Sequence, residues 1–330
     1  MKKLLYKKNA VWFLILCFAA FSIAYSEETD KEKFPVSAAL SLNLSGYIQT
    51  SFTHYQNSND EFQIKKARIG LDGDVSRHLS FKLQVDFVNN LSLIDALIET
   101  KFASYAKMTV GQYKIPFSLE NLTSSHSLDT ISRSLTVESL CPGRDIGAKG
   151  RDIGIMFSGR HSLFEYFLGI FNGTGINNLD NNEKKDFAGR LVLAPFDFLS
   201  MGISHYRGQN NSPTTPDTVD RNRTGLELYV HHGPFSLKGE YILARDDRTK
   251  KAGWYLQAGV FFQKEKIQAI IKYDSLDENT DIREKEKSRI TLGLNWYFTR
   301  RTKLQINYEY REERSAPTQN VIMLLLQAGF

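Results

Sequence analysis

The last thirteen residues, Thr318-Gln-Asn-Val-Ile-Met-Leu-Leu-Leu-Gln-Ala-Gly-Phe330, decide how the chain is read. Taken in steps of two, Ile322, Leu324, Leu326, Ala328 and Phe330 fall on one face. Side chains of a strand alternate between its two sides, so this stretch is a strand with one continuous apolar face. The same alternation runs upstream. Leu40, Leu42, Leu44, Ile48 and Phe52 oppose Ser41, Asn43, Ser45, Gln49 and Ser51, and Trp254, Leu256, Ala258 and Val260 oppose Tyr255, Gln257 and Gly259. Polar faces this long do not suit the inside of a soluble sandwich. They suit a wet surface backed by an apolar one. Apolar faces of this kind can meet lipid only if every backbone group is paired, which requires a closed barrel.

A terminal aromatic on an outward apolar strand resembles the C-terminal signature of bacterial outer-membrane barrels. The other end agrees. Met1 to Lys8 is basic, Ala10 to Ile23 is apolar, and Ala24-Tyr25-Ser26 is a small-x-small site, so residues 1–26 are expected to be a secretory signal peptide. The apolar run is shorter than the ~20 residues of a spanning helix. Cys17 follows Leu14-Ile15-Leu16 rather than small residues, which argues against a lipoprotein site. Residues 27–39 are read as a short N-terminal periplasmic segment and 40–330 as the barrel.

Charge excludes one function class. The chain has 42 basic and 37 acidic residues, but the signal carries four lysines and no acid, leaving 38 against 37. A near-neutral mature chain is not built to hold nucleic acid. Only Cys141 remains past the signal, so no internal disulfide is available. Mean hydropathy is −0.34. A barrel tolerates that, since half of each strand is polar, and 22 Phe, 15 Tyr and three Trp supply aromatic girdles.

Alternation and turn signals predict an all-β, transmembrane antiparallel barrel of about 16 strands. The starts fall near residues 40, 62, 79, 92, 106, 151, 162, 186, 198, 222, 235, 252, 266, 287, 302 and 318. Tight turns such as Arg77-His78, Gly159 to His161 and Gly233-Pro234 alternate with longer polar connections such as Asn172 to Lys185, Gln209 to Arg221 and Asp246 to Lys251. That is the periplasmic and extracellular asymmetry of such barrels. The longest connection, about 116–150, is the third outer loop. Its apolar Ile131, Leu135, Val137 and Leu140 suit a loop folded into the lumen as a constriction.

Several motifs point to one family. Thr109-Val-Gly-Gln-Tyr-Lys-Ile-Pro-Phe-Ser-Leu-Glu120, with Asn121 to Ser125, resembles the phosphate-selective porins O and P. So do Ser132-Arg-Ser-Leu135, Pro142-Gly-Arg-Asp-Ile-Gly147, Ile64-Lys-Lys-Ala-Arg68 and Leu83-Gln-Val-Asp-Phe87. The resemblance is strong over residues 45–160 and is otherwise one of barrel pattern. It implies a 16-stranded, homotrimeric outer-membrane channel for small anions, including phosphate or polyphosphate.

The candidate pore and anion-binding residues are Lys114, Arg133, Arg144, Arg68, Lys66 and Lys149. Fixed cations in a narrow water-filled path replace part of an anion's hydration and repel cations, and guanidinium forks match phosphate oxygens. Alternation also turns Lys82, Lys101, Arg190, Lys238, Lys272, Arg289 and Arg311 inward beside Lys66, Arg68 and Lys114, and acids are almost as numerous: Asp72, Asp86, Asp95, Glu99, Glu165, Glu227, Glu240, Asp274 and Glu309 are expected to face inward as well. Selectivity therefore requires cations at the path and acids bonded into the wall. Otherwise the lumen is a salt-bridged wall of a non-selective or structural barrel. Arg151 falls on the outward parity. No catalytic residue, metal ligand or cofactor is assigned. The histidines are scattered, His231 and His232 point to opposite faces, and no nucleophile elbow supports the third alternative, a barrel hydrolase. The partners expected are small anionic solutes, outer-membrane lipid and two further copies of the chain.

Overall fold

The computed structural model describes residues 41–211, 218–263, 265–282, 285–314 and 316–330. The expected signal peptide and the periplasmic segment 27–39 lie outside the described residues.

Sixteen strands follow in order. The first five are β1 (Ser41–Tyr55), β2 (Glu61–Asp74), β3 (Leu79–Asp86), β4 (Ser92–Ala103) and β5 (Ala106–Lys114). After the long loop come β6 (Arg151–His161), β7 (Phe164–Phe171), β8 (Asp186–Phe196), β9 (Leu199–Asn211), β10 (Thr218–His232) and β11 (Phe235–Asp246). The last five are β12 (Thr249–Phe262), β13 (Ile267–Asp277), β14 (Glu286–Tyr297), β15 (Lys303–Glu313) and β16 (Ala316–Gly329). Each strand pairs antiparallel with its neighbours in sequence, and β1 pairs β16, so the sheet closes on itself. Among the described residues no helix is long and apolar enough to cross a membrane. The crossing elements are strands.

Closure uses the sequence that opened the argument. Tyr47 lies opposite Gly329 and His54 opposite Ile322. The Phe330 amide donates to the Gly46 carbonyl at 3.0 Å, and the Gly46 amide donates back to the Phe330 carbonyl at 3.2 Å. A Cβ on Gly46 would sit 2.8 Å from the Phe330 ring, so glycine is what lets the terminal ring lie across β1. The expected outward set of β16 is exposed. Its inner face is not polar throughout: Val321, Met323 and Leu325 are buried with Ile131 of the long loop.

The strands differ from expectation mainly at the outer end. The connection expected at Asp246 to Lys251 is a turn at Asp247 and Arg248, and β9 and β10 extend to Asn211 and from Thr218. The ladders continue past the lipid because polar cross-strand contacts such as Asp220 amide to Asp247 Oδ1 (2.8 Å) still reward pairing there. The turn after β6 falls at Ser162 and Leu163 rather than at Gly159 to His161.

Candidate pore lining and inner loop

The loop of residues 115–150 contains α1 (Leu119–Leu122), a 3-10 turn (Ser125–Ser127) and α2 (Leu135–Leu140). Ser118 and Ser134 cap the two helices through bonds from the Asn121 and Val137 amides. The loop lies inside the barrel, with α2 against β11, β12 and β13. Val137, Leu140 and Cys141 are buried with Phe117 of the same loop and with Ile242, Tyr255 and Leu276, inward-facing residues of the opposite wall. Burial pushes the Cys141 thiol well above its usual range, so it is an inert packing group.

Carboxylates fasten the loop to the wall. Glu240 accepts the Leu119 and Glu120 amides at 3.1 and 2.7 Å. Asp274 accepts the Leu135 amide at 2.8 Å. From the loop side, Asp129 takes Lys238, Glu120 takes Lys272 at 2.7 Å, and Asp145 takes Arg221 and Arg223. Burial alone would raise the Glu120 carboxyl, but Lys272 and Arg133 override it and hold it down at about 2.

Because the loop fills the β11–β13 side, the open space lies against β1–β6 and reaches β14–β16. One cavity of about 430 Å³ and another of about 400 Å³ occupy it. The second contains Gly46, Asp72 and Arg301 and so lies at the short-turn, periplasmic end. Arg151 lines both.

The first cavity gathers five of the six expected residues: Lys66, Arg68, Arg133, Arg144 and Lys149. Lys65, Arg151 and Arg289 join them, and Glu138 is the one acid in its lining. The balancing acids sit in the wall behind. Arg68 Nε donates to Asp86 at 3.0 Å, Arg151 Nε to Asp95 at 2.7 Å, and Arg289 Nε to Asp274 at 3.2 Å. Asp86, Asp95 and Asp274 are all buried. Lys149 Nζ is 3.6 Å from Asp86. Arg133 bonds the Glu120 and Thr123 carbonyls, and Arg144 bonds Asn121 Oδ1 at 2.8 Å and Glu138 at 2.9 Å. Burial and the neighbouring Arg144 lower the Arg133 guanidinium to about 10, which leaves it charged at neutral pH.

Lys114 stands apart, in the second cavity, with Nζ on the Leu122 and Thr123 carbonyls at 3.0 and 2.9 Å. It ties the loop to its root. The acids Asp72, Asp95 and Glu99 share that cavity, so its charge is mixed.

Two placements correct the sequence reading. Arg151 points inward, not outward. Its cross-strand partner is Lys114, and β5 breaks its alternation at Gly111, whose φ is +125° and where a Cβ would lie 2.2 Å from the Ala96 carbonyl. Parity counted from the strand interior therefore fails at the loop root. Lys65 was missing from the expected set. Gln49 pairs with Lys66 and Thr50 with Ile64, so Lys65 is the extra residue of a β-bulge and turns into the cavity beside Lys66. The sequence carries a trace of this: apolar outward residues are even at Phe62 and Ile64 but odd at Ile69 and Leu71. Lys65 and Lys66 make no ion pair among the described residues.

Comparison with known proteins agrees with this architecture. DcaP, an outer-membrane channel of Acinetobacter baumannii, is similar in fold at a TM-score of 0.68, with 11% identity over 90% of this chain and 99% of that one. OmpT, an outer-membrane protein of Vibrio cholerae folded in vitro, gives 0.66, with 12% identity over 91% and 100%. Its trimer form gives 0.64, with 13% identity over 88% and 100%. No curated protein sequence matches the chain. The profile of the family described as phosphate-selective porin O and P matches residues 43–210 and 197–323. With a closed 16-strand barrel and a match over most of its length, the chain is a porin of the bacterial outer membrane and belongs to the phosphate-selective porin O and P family.

Proposed function

We propose that this porin passes small hydrophilic anions, phosphate and polyphosphate among them, by electrodiffusion through a lumen narrowed by the loop of residues 115–150. The observation that carries the reading is the first cavity, where the charged lining is eight cations and one carboxylate and the balancing acids are buried behind. An entering anion meets N–H donors first. An entering cation meets the same charges as a barrier. The arginines offer forks to phosphate oxygens, and because each already serves a carboxylate or carbonyl, the transient bond stays weak enough to release the ion. Family membership supports the same ligand class. The trimer form of the Vibrio cholerae protein supports a homotrimer. The reading includes no catalytic step and no cofactor.

The mixed second cavity favours a competing reading, in which lumen charge only braces the wall. Reversal potentials in planar bilayers under a potassium chloride gradient separate the two. Anion preference, with chloride current reduced by millimolar phosphate or tripolyphosphate, is the expected result. A cation preference, or current indifferent to phosphate, overturns the anion reading and leaves the porin.

A further inference from the structure

We propose that the outer surface of β9–β12 carries a docking row for the phosphate groups of an anionic glycolipid in the outer leaflet. Arg207, Asn222, Arg245 and Lys250 are direct cross-strand neighbours: Arg207 pairs Asn222, Asn222 pairs Arg245, and Arg245 pairs Lys250. Directly paired residues share a face. That face is the outer one, because Tyr206, Arg221, Arg223 and Ala244 between them are buried toward the lumen, while Ile203, Leu243 and Trp254 on the same parity are exposed.

Height fixes the partner. From Phe235 at the periplasmic turn to Leu243, the outward residues of β11 are apolar or aromatic. Those eight steps span about 27 Å along the strand and about 21 Å along the membrane normal at a ~40° tilt, close to the ~25 Å apolar band. Tyr241 and Trp254 are paired in the aromatic girdle, and Trp254 packs on Tyr273 at 5.1 Å. The cation row lies two outward positions beyond them, at headgroup level, where aromatic belts give way to charged lipid.

Neither Arg207 nor Lys250 makes an ion pair among the described residues, and Arg245 bonds the Asp247 carbonyl at 2.7 Å. The exposed acid of the same face on β10, Asp220, is bonded to Gln209, so cations facing lipid with no ion pair among the described residues need another anionic counterpart, and guanidinium forks suit phosphate oxygens. The row is local. On β13–β15 the outward charges at the same rim are mostly acidic: Asp277, Glu286 and Glu312, with the one cation there among the described residues, Arg314, already paired to Glu286 at 2.9 Å. A phosphate-bearing glycolipid would therefore seat on one side of the barrel. This inference rests on placement in the outer membrane and not on the ion preference of the pore.

The test titrates the purified porin in detergent with bisphosphorylated lipid A and reads bound lipid by native mass spectrometry. Wild-type protein should retain lipid A. The R207S/R245S/K250S variant should bind at least tenfold more weakly, with its reversal potential unchanged as evidence of an intact barrel. Dephosphorylated lipid A and phosphatidylethanolamine should bind the wild type as weakly as the variant binds lipid A. Inorganic phosphate at the lipid's concentration should not displace it. Equal binding by the variant, equal binding of dephosphorylated lipid, displacement by free phosphate, or a changed oligomeric state in the variant would each overturn the proposal. Should the variant not fold, the dephosphorylated-lipid arm on wild-type protein decides alone.

Discussion

Lys65 and Lys66 offer the sharpest test of how the pore selects ions. Both line the first cavity and neither makes a direct ion pair with a carboxylate among the described residues. Replacing one by glutamine removes its positive charge from the path without shortening the side chain greatly. For an ion passing about 5 Å away in water-like surroundings, the Coulomb energy is about 0.8 kcal/mol, and a Debye length of ~10 Å at 0.1 M salt reduces it to about 0.5. The anion loses that attraction and the cation loses an equal repulsion. The permeability ratio should therefore move by about 1 kcal/mol, or about fivefold, toward cations for each lysine. The double variant should move it about thirtyfold if the two add. At 1 M salt the Debye length is ~3 Å, and the single-variant effect should shrink below about twofold. Reversal potentials at the two salt strengths measure all three numbers, with heat-modifiable gel migration as the check on folding. A ratio that stays within 1.5-fold of wild type at 0.1 M, or an effect independent of salt, would refute the claim that unpaired lysines carry the selecting field.

Three other perturbations address the loop. Glu120→Gln leaves the buried Lys272 without its carboxylate, which costs about 3–5 kcal/mol of loop docking and should appear as noisy, enlarged conductance. In the unmodified chain the Glu120 carboxyl is held at about 2, below its ordinary range. Its stabilising contribution is therefore complete above that ordinary range and disappears as pH falls toward 2, so current noise should rise on acidification and not on alkalinisation. Leu140→Ala empties a fully buried site between α2 and the wall, at about 2–5 kcal/mol, and should speed hydrogen exchange in residues 115–150 while leaving the strands protected. Gly111→Ala forces a Cβ against the Ala96 carbonyl at a φ that L residues avoid, so it should lower the melting temperature and displace Lys114, read as faster proteolysis of the loop root.

The barrel was legible because lipid imposes a rule with period two. Every strand start lies within a few residues of its expected place, and the closure of β16 on β1 follows from Phe330 and its alternating neighbours. The pore was legible only in part. Arg68 and Lys66 are placed by parity alone, but Arg133, Arg144 and Lys149 sit on a loop whose path depends on contacts more than a hundred residues away, such as Glu240 to Glu120. Parity misplaced Arg151 and passed over Lys65 for the same physical reason: an irregular residue, Gly111 in one case and a bulge in the other, reverses the face on which everything beyond it lies. The acids were countable in the sequence, but their retreat behind the cations is a property of tertiary packing.

That retreat separates the cations into two kinds. Arg68 against Asp86, Arg151 against Asp95, and Arg289 against Asp274 and Glu309 are close pairs with little field beyond a few ångströms. They keep N–H donors near the cavity while adding almost no net charge to it. Lys65 and Lys66 do the opposite: they make no direct ion pair among the described residues and act at a distance, but as single-point donors they discriminate poorly among anions. On the proposed anion reading, separating anion from cation falls to the lysines and weakens with salt. On the same reading, distinguishing one anion from another falls to the paired arginines and should persist at high salt, because short-range, partly buried hydrogen bonds are little screened. A pore built only of free cations would bind a multivalent anion too tightly to release it, and one built only of neutralised pairs would admit cations nearly as readily. The first cavity combines both kinds within one wall, as the proposed flux of a multivalent anion requires.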